Sequence, residues 1–110
     1  MRTRHLTFGL YADEQGVAWV RGLVEGAVAS RSARITGSEL TATDAYDFLV
    51  RQWAVEHPAQ NSGARQLIKL RVHLKCSLRT RRAIRKAVIT SLCPEGTAPH
   101  SCRVPWMAAA

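Results

Sequence analysis

Nine basic side chains stand between positions 65 and 86 with no Asp or Glu among them: Arg65, Lys69, Arg71, Lys75, Arg79, Arg81, Arg82, Arg85 and Lys86. Cations at this density neutralise phosphates and release condensed counterions, giving an affinity that ignores base sequence and falls steeply with salt. Arginine dominates the second half of the run, and its planar fork suits bidentate contacts to phosphate or guanine. Natural surfaces normally intersperse both signs, so an unbroken run carries a self-repulsion that a polyanion would relieve. With His73 included, Lys69, Arg71, His73, Lys75, Arg79, Arg81, Arg82, Arg85 and Lys86 are the candidate nucleic-acid-binding residues.

Other chemistries find less support. There is no Gly-rich phosphate loop followed by Lys-Ser/Thr, no His-Glu-x-x-His and no Gly-x-Ser-x-Gly. His5, His57, His73 and His100 are dispersed, and Asp44 and Asp47 read as ordinary helix-start carboxylates at the positive end of a dipole. Cys93, His100 and Cys102, with Cys76 as a fourth donor, supply zinc-ligand atoms but no close Cys-x-x-Cys pair. The reading is of reduced thiols, no catalytic residue, no metal and no cofactor, and thus of a protein that is not an enzyme.

The charge is segregated along the chain. Residues 1–12 carry +2, residues 13–60 carry −3 and residues 61–110 carry +9, for a net charge of +8. At 110 residues, 46% apolar and 22% charged, the composition is that of one ordinary globular domain. A domain of this size is marginal alone, so a homodimer or docking onto a larger partner is compatible with it. No apolar run approaches the roughly 20 residues of a membrane span, and Met1 to His5 lead into an alternating segment unlike a signal peptide. The expected location is cytoplasmic, with no membrane partner.

The elements that must position the cations follow from periodicity. Leu6, Phe8 and Leu10 alternate with Thr3, His5 and Thr7, a half-buried strand over residues 2–10. Asp13 can cap a helix to about Ser30 that buries Val17, Val20, Leu23, Val24, Ala27 and Val28. That helix also carries Ala18, Gly22, Gly26 and Ser30 at four-residue steps. Two interior glycines cost roughly 1 kcal/mol each, which calls for a partner, most simply a second helix, packed on the stripe. Residues 31–37 read as a loop; Ser38 or Thr41 caps a second helix that buries Ala45, Phe48, Leu49 and Trp53 and stops before Pro58.

From Leu67 the period returns to two. Leu70, Val72, Leu74, Cys76 and Leu78 alternate with Lys69, Arg71, His73, Lys75 and Ser77, so one strand face is a cationic row with about 7 Å between steps. A third helix from about Arg79 to Leu92 sets Ala83, Ile84, Ala87, Val88 and Leu92 against Arg79, Arg82, Arg85 and Lys86. Pro94, Gly96 and Pro99 end it, leaving residues 93–110 as an irregular tail beyond a domain of residues 1–92. The fold class predicted is α+β, ordered strand, helix, helix, strand, helix.

Over residues 2–57 this order resembles the ribbon-helix-helix family of DNA-binding proteins. Arg4, His5, Leu6, Thr7, Phe8, Gly9 and Leu10 match the ribbon, and Gly37, Ser38, Glu39 and Leu40 match the opening of the second helix. The resemblance implies two chains with paired ribbons, Thr3, His5 and Thr7 facing bases, and amides near Ser38 holding a phosphate. The first helix and the loop after it are longer than the family's, and the strongest charge lies outside the matched region.

The residues from 57 to 105 include no Phe, Tyr or Trp, so base stacking has no obvious platform in the basic region. Duplex DNA is therefore the expected ligand. The competing class is a small mobile-element or phage-type interaction protein that docks onto an acidic protein surface or into the nucleic-acid channel of a larger complex.

Overall fold

Strand β1, Arg2–Ala12, buries Leu6, Phe8, Leu10 and Ala12 on one face and turns Thr3, His5, Thr7, Gly9 and Tyr11 to the other. The computed structural model, which describes residues 2–58, 63–93 and 104–109, places it beside β3, Gln66–Cys76, in an unbroken antiparallel register from Arg2↔Cys76 to Ala12↔Gln66. Residues opposite one another share a face. Leu70, Val72, Leu74 and Cys76 therefore join the apolar side of β1, while Lys69, Arg71, His73 and Lys75 join the polar one. The alternation predicted for both strands holds.

Two helices cover the apolar face. Helix α1, Glu14–Ala29, starts at Asp13, whose carboxylate accepts from the Gly16 amide at 2.8 Å. Helix α3, Leu78–Leu92, starts at Ser77, whose hydroxyl accepts from the Thr80 amide at 3.1 Å. Each cap satisfies an orphaned amide and contributes about 1 kcal/mol. Val17, Val20, Val24 and Val28 of α1 meet Ile84, Val88 and Leu92 of α3 over the strands, in one core with Val104.

Two further strands complete an antiparallel sheet of order β2-β3-β1-β4. Strand β2, Arg34–Ala42, returns from α1 with β3 between it and β1. Strand β4, Trp106–Ala108, lies on the other side of β1. Each crossover thus spans an antiparallel strand, the doubled split β-α-β connection of ferredoxin-like folds. The α+β class is as expected, and the five expected elements occur in their expected order.

The differences lie between and after those elements. Residues 34–42 are a strand, where a loop and a helix start were expected, and the second helix, α2, begins only at Asp47 and ends at Glu56. Residues 106–108, expected in an irregular tail, pair with Phe8, Gly9 and Leu10. Pro94, Gly96 and Pro99 lie outside the described residues, as do residues 59–62 of the expected turn.

The small-residue stripe on α1 has no helix against it. An added Cβ at Gly22 or Gly26 would meet nothing within 4 Å, because the neighbour on that flank is the edge strand β2, while α3 packs on the other side. Gly22→Ala should therefore stabilise the fold by about 0.5–1 kcal/mol, by restoring helix propensity in open space. Thermal or urea unfolding of the variant checks this. Among the described residues no helix is long and apolar enough to cross a membrane.

Candidate nucleic-acid interface

The second face of the sheet is where the strand cations emerge. On β3 the row is Lys69, Arg71, His73 and Lys75, flanked on β1 by Gly9, Thr7, His5 and Thr3 and on β2 by Thr41, Glu39, Gly37 and Arg34. A register shift between Ile35 and Gly37 makes Thr36 an extra residue, which brings Arg34 level with Lys75. Arg34 thus extends the cationic row across a strand boundary.

Helix α2 closes one end of this face. Leu49 and Trp53 bury themselves against Tyr11, with Tyr46 and Leu67 packed around them, in a second and smaller core. Trp53 meets Tyr11 edge-on at 6.3 Å, stacks on His57 at 4.8 Å and lies under the Arg65 guanidinium at 5.2 Å. Gly9 makes this close approach possible, since a Cβ there would stand 2.6 Å from the Tyr46 ring. Ala45 and Phe48, expected on the buried side of the helix, are exposed, with half of the Phe48 surface open. The basic row leads away from α2 towards Lys75.

Within the row one carboxylate interrupts the cations. His73 donates from Nε2 to Glu39 Oε1 at 2.8 Å, and the rings of His5 and His73 meet edge-on at 6.5 Å. The hydrogen bond from His73 holds the Glu39 carboxyl below its ordinary 4.5, helped by the charges of His73, Arg71 and Lys69 and opposed by partial desolvation. A carboxylate with a depressed folded-state pKa stabilises the fold above its unfolded pKa and loses that contribution as pH falls through the folded value. The stability difference between wild type and Glu39→Gln should thus shrink as pH drops below about 4.5, which urea titrations at several pH values would show. Arg71 Nε is enclosed on this face with no acceptor among the described residues.

The helix cations lie elsewhere. Because α3 packs on the apolar face, Arg79, Arg82 and Lys86 are exposed on the opposite side of the molecule from the strand row. Two of the helix arginines are engaged within the fold. Arg81 Nε donates to the His5 carbonyl at 2.9 Å, and Arg85 Nε donates to the Ala109 carbonyl at 3.2 Å. The nine predicted ligands therefore form two separate cationic surfaces, and one rigid duplex cannot lie flat on both.

Glu39 and Arg34 are the members of the face that periodicity misses, since β2 carries no strand period. The placement of Thr3, His5 and Thr7 on the polar face of β1 matches their alternation. Gly37, Ser38, Glu39 and Leu40 lie within β2, so no helix N-terminus forms at Ser38 to hold a phosphate, and β1 is a central strand with neighbours on both sides. Cys76 is buried in the main core and Cys93 is half-buried, while His100 and Cys102 lie outside the described residues. Among the described residues no three metal-ligating side chains converge.

By topology, then, this is a ferredoxin-like α+β sandwich with a helix inserted between β2 and β3 and a cationic open face. A scan against protein-family models finds no match, and a search of curated proteins finds no similar chain.

Proposed function

We propose that this protein is a non-enzymatic nucleic-acid-binding domain whose primary surface is the second face of the sheet, with duplex DNA as the preferred ligand. The observation that carries the reading is the row Lys69, Arg71, His73 and Lys75, side by side with His5, Thr3, Thr41 and Arg34 on a face that no helix covers beyond the α2 end. Cations at about 7 Å spacing along a strand can follow a phosphate backbone, and hydroxyls beside them supply neutral hydrogen bonds to the same oxygens. Tyr11 and Tyr46 are held in the small core under α2, which leaves no Phe, Tyr or Trp among the described residues of the basic row itself. Backbone contact therefore suits the face better than base stacking.

The test is a salt titration with random-sequence duplex DNA and the full chain. Binding should appear at low ionic strength and weaken linearly in log K against log salt, with a slope set by the number of phosphates neutralised. No detectable binding at low ionic strength would overturn the reading. An acidic protein surface would then be the ligand that the same cations fit.

A further inference from the structure

We propose that the outer edge of β2 is a dimerisation surface, at which a second copy of this chain adds its own β2 antiparallel about a twofold axis. The two ends of the sheet are treated differently by this fold. At one end β4 is only three residues long, and Arg81 and Arg85 occupy the carbonyls of His5 and Ala109. Short edge strands and charged side chains on the edge are the usual protections against unwanted pairing. At the other end β2 runs for nine residues, with no Pro or Lys, and among the described residues no group hydrogen-bonds to its outer side. It is guarded by the charges of Arg34 and Glu39 and by the irregularity at Thr36, which leaves residues 37–42 as the straight part of the edge.

Beside that stretch lies a groove of about 820 Å³ between β2 and α1, with an apolar floor that includes Ala18, Leu40 and Ile68 and with Asp13, Glu14, Arg21 and Glu25 also in its lining. Leu40 is 44% exposed at its rim. Charge favours a second copy as the occupant. A protein of net charge +8 repels itself over most of its surface, yet residues 13–42 hold four acids and three bases, so this flank is where two copies can approach. Arg21 and Glu25 stand one helical turn apart on the groove wall, and Arg21 Nε is enclosed with no acceptor among the described residues. A twofold axis turns an opposite-charge pair into its own complement, because each copy's Arg21 can face the other's Glu25. A foreign strand would have to supply both charges by coincidence.

The product is a continuous eight-stranded sheet, two sets of the four strands seen here. Both β3 rows fall on the same side of it, about 14 Å apart at three strand spacings. The dimer does not depend on the nucleic-acid reading, and its test contains no nucleic acid.

Sedimentation of the full chain across a concentration series should show a monomer that becomes a dimer at high micromolar concentration. Leu40→Lys places opposed cations across the axis at an exposed position and should weaken the dimer about tenfold or more, with an unchanged circular dichroism spectrum. Arg21→Glu and Glu25→Arg should each weaken it, and the double exchange should recover it. A wild-type chain that stays monomeric at high micromolar concentration overturns the proposal. So does a dimer indifferent to Leu40→Lys, or one that the double exchange fails to restore.

Discussion

Replacing Lys69, Arg71 and Lys75 together with alanine is expected to lower duplex affinity on the order of a thousandfold at low salt, at about 1.5 kcal/mol per charge-assisted hydrogen bond. The log K against log salt slope should flatten by about 2–3, near 0.9 for each phosphate no longer neutralised. The three side chains lie on the half-exposed polar face of β3, outside both apolar clusters, so the fold should survive the change. The matched control is Arg79, Arg82 and Lys86 to alanine, which removes the same charge from the exposed face of α3. If the sheet face is the interface, the control keeps most of the affinity. Equal losses from both variants would show that net charge alone governs binding, and a larger loss from the control would move the interface to α3.

The largest stability effect should come from Trp53→Ala, at about 3–5 kcal/mol. Helix α2 has only two buried residues, Leu49 and Trp53, and Trp53 is also the surface on which Tyr11, His57 and Arg65 pack. A ten-residue helix is marginal without tertiary contacts, so losing the indole should release it from the sheet. The main core under α1 and α3 shares none of these side chains. Hydrogen exchange should therefore accelerate at the amides of α2 well before those of β1, β3 and α3. Uniform acceleration across the chain would mean that the two clusters unfold as one unit.

The strands and helices that bury one face are legible as sequence because burial imposes a period. Leu6, Phe8 and Leu10 on β1, Leu70, Val72 and Leu74 on β3, and Ile84, Val88 and Leu92 on α3 repeat at the spacing of their element and lie on the same side of it in the structure. Strand β2 has no such signature. It is an edge strand that α1 only partly covers, so nearly every residue is exposed, and the extra residue at Thr36 breaks what alternation Ile35 and Leu40 provide. β4 is three residues long, too short for any period.

The candidate site is readable in the sequence as two rows of cations, but their relative placement depends on which face of the sheet α3 covers. Periodicity within one element does not carry that information. Nor can it show that Arg81 and Arg85 hold strand carbonyls, since the signal for an arginine that fastens an edge is the same as for one that awaits a ligand.

The central pair of the sheet joins Arg2–Ala12 to Gln66–Cys76, so its partners are separated by about half to two thirds of the chain. Such pairing is slow, because loop closure must be met before the contacts repay it. On the ribosome β1 emerges long before β3 and has no central neighbour until Cys76 has left the exit tunnel, and β2 cannot dock until β3 is in place. Assembly of the sheet therefore waits until β3 has been made, after which β2, α3 and β4 have a central pair to close around.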